Sequence, residues 1–294
     1  MHCCFQARVY YLSCFCNCFQ YILFPDNKQS KLLSRFLSDS CYTVSMNTHS
    51  RPATNHISDS SEYSKHAEEF MTHMGIVIMA SGEGKRFGSN KLLAPLSGKP
   101  LLQYILDATG CFPLRVVVTK HPAIADLCQT QDIPFVLHDC PDRNDTIRLG
   151  VSYLEKNHNR MDNGSLAGIL FCQGDQPLLS ETTLQRFFRE ACKHKDAVIL
   201  QSRAASEAYE GDAPCMHSET SEADACHMHS KVRLGSPVYF SSHFFGALKT
   251  LPKGKGGRIL IQSNPDKLLP VPVPSQELLD VDTPTDFIEI SRYL

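Results

Sequence analysis

Residues 75–91 read GIVIMASGEGKRFGSNK, and the fold turns on this stretch. GIVIMA (75–80) is an uninterrupted apolar run, the pattern of a strand buried on both faces. It breaks into a turn with glycines at 82, 84 and 88 beside Lys85, Arg86 and Lys91. Glycine lets backbone approach a ligand closely and take positive φ, while free N–H groups and cations suit a polyphosphate, so the turn reads as a phosphate cradle. It is not a P-loop, because no GKS or GKT occurs, and its glycine spacing is not the dinucleotide fingerprint. A merely structural turn is the plain alternative, and the three cations weigh against it.

Downstream the chain alternates short β-rich runs with helical segments. Strands are expected at 115–119, 133–137, 167–173, 196–201, 237–240 and 268–273. Helices are expected at 100–109, 122–130, 145–157, 181–194 and 284–293, each opening near a Thr, Asp, Pro or Ser able to cap or start it. This order predicts one α/β domain over residues 74–294, a mostly parallel, doubly wound sheet covered by helices. Ligands of such sheets bind beyond the carboxyl ends of the strands, so chemistry belongs in the loops that follow them. Residues 203–231, polar and acidic, break the rhythm and read as a surface insert. Within it Cys215, His217, Cys226, His227 and His229 follow no structural zinc spacing, which favours a variable loop over a metal site.

The 29 Lys and Arg balance 31 Asp and Glu to a net charge of -2, which excludes the broad basic field that holds nucleic acid or an anionic bilayer. Six of the 13 cysteines crowd the first 41 residues, and the other seven are widely spaced and odd in number. Reduced thiols in a cytoplasmic protein suit that spacing better than a disulfide framework. Residues 1–73 show no secondary-structure period, no signal-peptide cleavage site and no uninterrupted apolar span, and read as a disordered or non-native extension before Met74.

Two further loops carry carboxylates. In GDQP (174–177), directly after the run GILFCQ, Asp175 sits where its side chain projects into the crevice and is the first candidate metal ligand. A turn Asp bonding its own backbone is the plainer alternative. In LLDVDTPTDF (278–287), Asp280 and Asp282 share one side if the segment is extended, and a divalent cation would relieve their repulsion. Asp282 or Thr283 also suits the cap of a helix opening at Pro284. A cationic glycine loop with strand-end carboxylates describes Mg²⁺-dependent nucleotidyl or phosphoryl transfer, with no covalent nucleophile required.

Taken together, MASGEGKRFGSNKLL (79–93), SGKPLL (97–102), GDQP (174–177), GSPVYF (235–240), GKGGR (254–258) and DVDTPTDF (280–287) resemble, in this order, the molybdenum cofactor cytidylyltransferases, the MocA-like group of nucleotidyltransferases. The resemblance implies a Rossmann-like, nucleotide-diphospho-sugar transferase-like sheet with helices on both faces. It implies CTP and molybdopterin cofactor as substrates, Mg²⁺ as cofactor, and a molybdenum hydroxylase as recipient of the product. By motif match the nucleotide would meet Ala80, Ser81, Gly82, Gly84, Lys85, Arg86, Lys91, Thr146 and Asp175, with Arg86, Lys91 and Asp175 catalytic. Asp175, Asp282 and Asp280 would hold the metal, and Gly235, Ser236, Gly257 and Arg258 would border the pterin. Asn144, Asp145 and Arg148 of the stretch 139–150 would line the base or ribose pocket beside Thr146, with capping of the following helix an equal alternative for Asp145. Ser81 stands at the base-discriminating position, where the cytidylyl group reads LAAG and the guanylyl group LAGG, and together with GDQP it sides with CTP. Ser236 replaces the amide of the usual GNP. The alternatives are a guanylyl- or sugar-phosphate nucleotidyltransferase of the same fold, or a non-catalytic binder that delivers nucleotide or cofactor to a hydroxylase.

Overall fold

A computed structural model describes residues 72–82, 84, 87, 90–159, 165–194, 196–205 and 233–294. The expected extension up to residue 71, Lys85, Arg86, Gly88 and the Cys/His cluster of the expected insert lie outside these residues.

Strand β1 (Met74–Ala80) is almost wholly buried and is an interior strand of a seven-stranded sheet. A mini-hairpin, β2 (Pro95–Leu96) and β3 (Lys99–Pro100), leads into helix α1 (Leu101–Ala108). Then follow β4 (Arg115–Thr119), α2 (Pro122–Thr130), β5 (Phe135–Leu137), α3 (Arg143–Asn159), β6 (Gly168–Gln173) and α4 (Glu181–Cys192). The second half supplies β7 (Ile199–Ala204), β8 (Leu234–Ser241), α5 (Phe245–Lys249), α6 (Arg258–Ser263), β9 (Leu268–Val273) and α7 (Pro284–Ile290).

The strand order is β5-β4-β1-β6-β8-β7-β9. β1 runs parallel to β4 and β6, β4 parallel to β5, and β7 parallel to β9, whereas β8 is antiparallel to both its neighbours. The chain therefore winds outward from β1 through β4 to β5, then returns to the other side of β1 as β6. The crevice this reversal opens lies between the carboxyl ends of β1 and β6. Because β8 is antiparallel, its amino end, carrying Gly235 and Ser236, arrives at the same rim.

Alternate residues of β1 feed the two faces. Ile76 and Ile78 join the core beneath α1, α2 and α4, while Val77 joins the core beneath α3 and α5. Helix α3 lies close to the sheet because residue 150 is glycine: a Cβ there would stand 2.7 and 2.8 Å from the Val77 methyls.

The expected strand 196–201 is displaced to Ile199–Ala204, which takes Arg203 and Ala204 out of the expected insert. Arg203 and Ala204 pair with Pro272 and Val273 of β9, so backbone bonding extends the strand beyond its apolar run. The prolines of β9 are tolerated because β9 is an edge strand. Helix α7 stops at Ile290 and tightens into a 3₁₀ turn, Ser291–Tyr293, where one helix over 284–293 is expected.

Candidate active site

The loop after β1 is held at both ends. Gly84 takes φ 58°, a left-handed conformation that favours glycine, and its carbonyl accepts from the Phe87 N–H at 2.8 Å. The Phe87 ring packs against Phe287 of α7, with centroids 5.7 Å apart. Further on, Asn90 caps a 3₁₀ turn, Lys91–Leu93, its side chain accepting from Leu92 N–H at 3.2 Å. That turn aims Lys91 into the site.

The Lys91 Nζ donates to Asp175 Oδ2 at 2.7 Å, to Asp282 Oδ1 at 3.1 Å and to the Val281 carbonyl at 2.5 Å. Three segments distant in sequence thus meet at one nitrogen. Asp175 follows β6, and its carbonyl accepts from Val281 N–H at 3.0 Å, which ties the two acidic loops together by backbone. Asp282 precedes the capping box of α7, in which Thr283 accepts from Asp286 N–H while the Asp286 carboxylate accepts from Thr283 N–H at 2.7 Å. Burial alone would lower the Lys91 pKa, but the Asp175 carboxylate, helped by Asp282, raises it above its usual value.

The donor set fits a hard cation. Two carboxylates touch one shared nitrogen, and among the described residues no group of three or more His, Cys, Asp or Glu side chains is arranged to hold a metal alone. Such a site suits a hard divalent cation that keeps waters and takes substrate phosphate oxygens alongside one or two carboxylates.

Asp280 stands apart from this pair. It is half-exposed, with its Oδ1 3.8 Å from Arg233, and buried Val281 separates it from Asp282. Residues 279–282 form no strand, although the alternation around Val281 keeps Asp280 near enough that Asp175 and Asp282 add to burial in raising its pKa.

From this acidic pair a cleft of about 1400 Å³ opens over the carboxyl ends of the strands. Ser81, Gly82, Gly84, Thr146, Gly235, Ser236, Gly257 and Arg258 all line it, as do Lys91, Asp175 and Asp282. Ala80 instead buries its methyl in the core, and its carbonyl accepts from Thr119 Oγ1 at 2.9 Å. The other expected pocket residues of the stretch 139–150 serve its framework. Asn144 accepts from Gly254 N–H at 3.0 Å, pinning the GKGGR loop to the start of α3, and Asp145 pairs with Arg148 at 2.9 Å.

Sequence reasoning missed two features of the cleft. One is a set of cations in its lining, Lys120, Arg143 and Lys255, joined by Arg258. Lys120 follows a strand end, so the strand-end rule was a signal that pointed to it; Arg143 had none. The other is an apolar floor that includes Phe171, Val238, Phe240, Ile259 and Leu268, with Phe171 and Phe240 edge to face at 5.9 Å. Gly257 lets α6 lie on this floor, since a Cβ there would stand 3.1 Å from the Phe240 ring.

Residues 76–268 match the model of the MobA-like NTP transferase domain. The chain belongs to that family. As a MobA-like NTP transferase domain it is 30% identical over 134 residues to the bifunctional protein GlmU of Rhodospirillum rubrum, an alignment covering 44% of this chain and 28% of GlmU. The matched part is thus little more than a quarter of that relative's length. Among solved structures, Rv0371c of Mycobacterium tuberculosis H37Rv superimposes with TM-score 0.57 at 21% identity, over 75% of this chain and 98% of Rv0371c; a manganese complex of the same protein superimposes with TM-score 0.54 at 21% identity, over 75% and 99%. CMP:2-keto-3-deoxy-manno-octonic acid synthetase, complexed with CTP, superimposes with TM-score 0.52 at 15% identity, over 75% of this chain and 97% of that one. These similarities establish a shared fold for the MobA-like domain. No helix among its described residues is long and apolar enough to cross a membrane.

Proposed function

We propose that this protein is a divalent-metal-dependent nucleotidyltransferase that joins CMP from CTP to the terminal phosphate of molybdopterin cofactor and releases pyrophosphate. The observation that carries the reading is the convergence of Lys91, Asp175 and Asp282 at the mouth of the β1–β6 crevice, in a cleft whose lining also holds Lys120, Arg143, Lys255 and Arg258. An acceptor phosphate oxygen attacks the α-phosphorus of CTP, the bond from that phosphorus to the bridging oxygen breaks, and the electron pair leaves on pyrophosphate. Asp175 and Asp282 would hold Mg²⁺, which would supply positive charge to the phosphate oxygens. Lys91, held by those two carboxylates, is placed to offset charge developing on the transferring group, and the loop at Gly82 and Gly84 brings backbone to the triphosphate. Lys85 and Arg86 belong to the same loop sequence and are assigned the triphosphate with it. The cations Lys120, Arg143, Lys255 and Arg258 are suited to the acceptor phosphate.

The apolar floor supports a planar acceptor. Val238, Ile259 and Leu268, partly exposed over the buried Phe171 and Phe240 rings, offer a pterin ring contact area, whereas a polyol laid there would leave its hydroxyls unpaired. The neighbours' manganese and CTP are consistent with the proposed metal and nucleotide. The synthetase neighbour also favours a second reading, a sugar-type acceptor at the same site.

Pyrophosphate release with Mg²⁺ and molybdopterin cofactor, compared among CTP, GTP and ATP, tests the reading. CTP-selective release is expected. GTP-selective release would move the protein to the guanylyl alternative, release only with sugar phosphates would favour the second reading, and tight binding without release would favour a delivery protein.

A further inference from the structure

His138 follows β5 in a position that no motif of the sequence singles out. The residue is 4% exposed, and its backbone N–H donates to the Thr119 carbonyl at 3.0 Å. The Nε2 atom lies 2.9 Å from the Oγ of Ser81, and that same Oγ lies 3.1 Å from the Val118 carbonyl. Nδ1 is buried and has no hydrogen-bond partner among the described residues.

A serine hydroxyl has one proton, so it can serve only one of these two neighbours. If the proton went to His138, the Val118 carbonyl would receive nothing from Ser81, and Nδ1 would have to bury an N–H without an acceptor. If it goes to Val118, Nε2–H donates to Ser81, both contacts are made, and Nδ1 keeps only a bare lone pair. The second arrangement forms one more hydrogen bond and orphans no donor, which decides the tautomer. The neutral ring it requires agrees with the lowered pKa of His138, which comes from burial, with Lys120 and Arg148 adding to it against Asp145 and Asp139. Ser81 lines the cleft, so what it turns toward a ligand is a lone pair and never a proton.

We propose that His138 sets nucleotide choice by holding Ser81 as an obligate hydrogen-bond acceptor, so that the cleft takes a base presenting an amino group and rejects one presenting a carbonyl there. Cytosine offers its 4-amino group at this edge, where uracil has a carbonyl oxygen, and the two are otherwise alike in size. Guanine and adenine differ in the same sense at their sixth position. His138 acts through Ser81 and is a positioning residue. The inference rests on the nucleotidyltransferase reading above, with Ser81 beside the base.

The test is equilibrium binding of CTP and UTP, in Mg²⁺, to the full chain and to four variants. The wild-type protein is expected to prefer CTP at least ~10-fold. His138→Leu frees the Ser81 hydroxyl to rotate and donate, so the preference should shrink to about threefold or less, mainly because UTP binds better. His138→Gln, which still offers an N–H to Ser81, should keep the preference. Ser81→Ala should lose it, and Ser81→Ala with His138→Leu should lose nothing more. A purely structural role for His138 would weaken both nucleotides alike in the Leu and Gln variants. Histidine ¹⁵N shifts give an independent readout, with His138 expected as the Nε2–H tautomer. An unchanged CTP preference in either Ser81→Ala or His138→Leu overturns the inference, as does the Nδ1–H tautomer. If His138→Leu does not fold, Ser81→Ala still decides. Wild-type protein that binds CTP and UTP equally sinks this inference alone, whereas failure to bind any nucleoside triphosphate sinks the nucleotidyltransferase reading together with it.

Discussion

Burial would push the Lys91 ammonium toward losing its proton, and the Asp175 and Asp282 carboxylates reverse that balance. In Lys91→Met the two carboxylates face each other without a cation between them, and like charges at that range repel. The variant is expected to lose about 1–3 kcal/mol in urea unfolding. Mg²⁺ alone, without nucleotide, should restore most of that loss, and a melting midpoint indifferent to Mg²⁺ would count against the pair as a cation site. Asp175→Ala is milder for the fold, because Lys91 keeps Asp282 and the Val281 carbonyl. Turnover should nonetheless fall by roughly 100-fold or more, and a variant of unchanged rate would remove Asp175 from the mechanism. His138 adds a pH signature. Its folded pKa lies below the usual 6.5, so in acid the unfolded chain takes up a proton that the folded ring resists. Stability is therefore expected to fall as pH drops through about 6.5 and to level off below the folded pKa. The His138→Leu variant should lack that slope in denaturation midpoints measured from pH 7.5 down to about 5.

At the scale of elements, α3 and α7 set the geometry of the site from opposite sides. Helix α3 reaches the sheet only because position 150 has no side chain, so Gly150→Ala should cost about 1–3 kcal/mol, read as a lowered urea midpoint. Thr146 and Arg143 at the amino end of α3 line the cleft, and the same variant is expected to weaken nucleotide binding too. Normal binding by a destabilised Gly150→Ala protein would mean that the helix start is held from elsewhere, for instance by Asn144 on Gly254. Strands β1, β4 and β6 were legible because they are short apolar runs buried on both faces. The shift of β7 was not, since Ser202, Arg203 and Ala204 are strand residues by virtue of their partners in β8 and β9. Helices α5 and α6 escaped notice for a related reason: at five and six residues they are too short to show a helical period.

At the scale of the whole molecule, every strand and both core clusters among the described residues lie between Met74 and Ile290, and the His73 carbonyl adds one bond, accepting from Ala167 N–H at 2.7 Å. A chain of residues 71–294 is accordingly expected to unfold in a single transition and to bind nucleotide as the full chain does. Insolubility, or a second transition seen only in the full chain, would assign residues 1–70 a part in the fold.

By itself the sequence determined the fold class and the loops where charge gathers, because burial on two faces demands continuous apolar runs and phosphate chemistry demands glycine, cations and carboxylates at strand ends. It brought Lys91, Asp175 and Asp282 under suspicion one motif at a time. Only the tertiary structure decided that these three meet at one nitrogen, that Asp280 stands aside with Arg233, and that His138 holds Ser81. Those outcomes depend on distances between segments separated by up to 191 positions in the chain. Strand order and the antiparallel return of β8 set such distances, and no local pattern of residues encodes them.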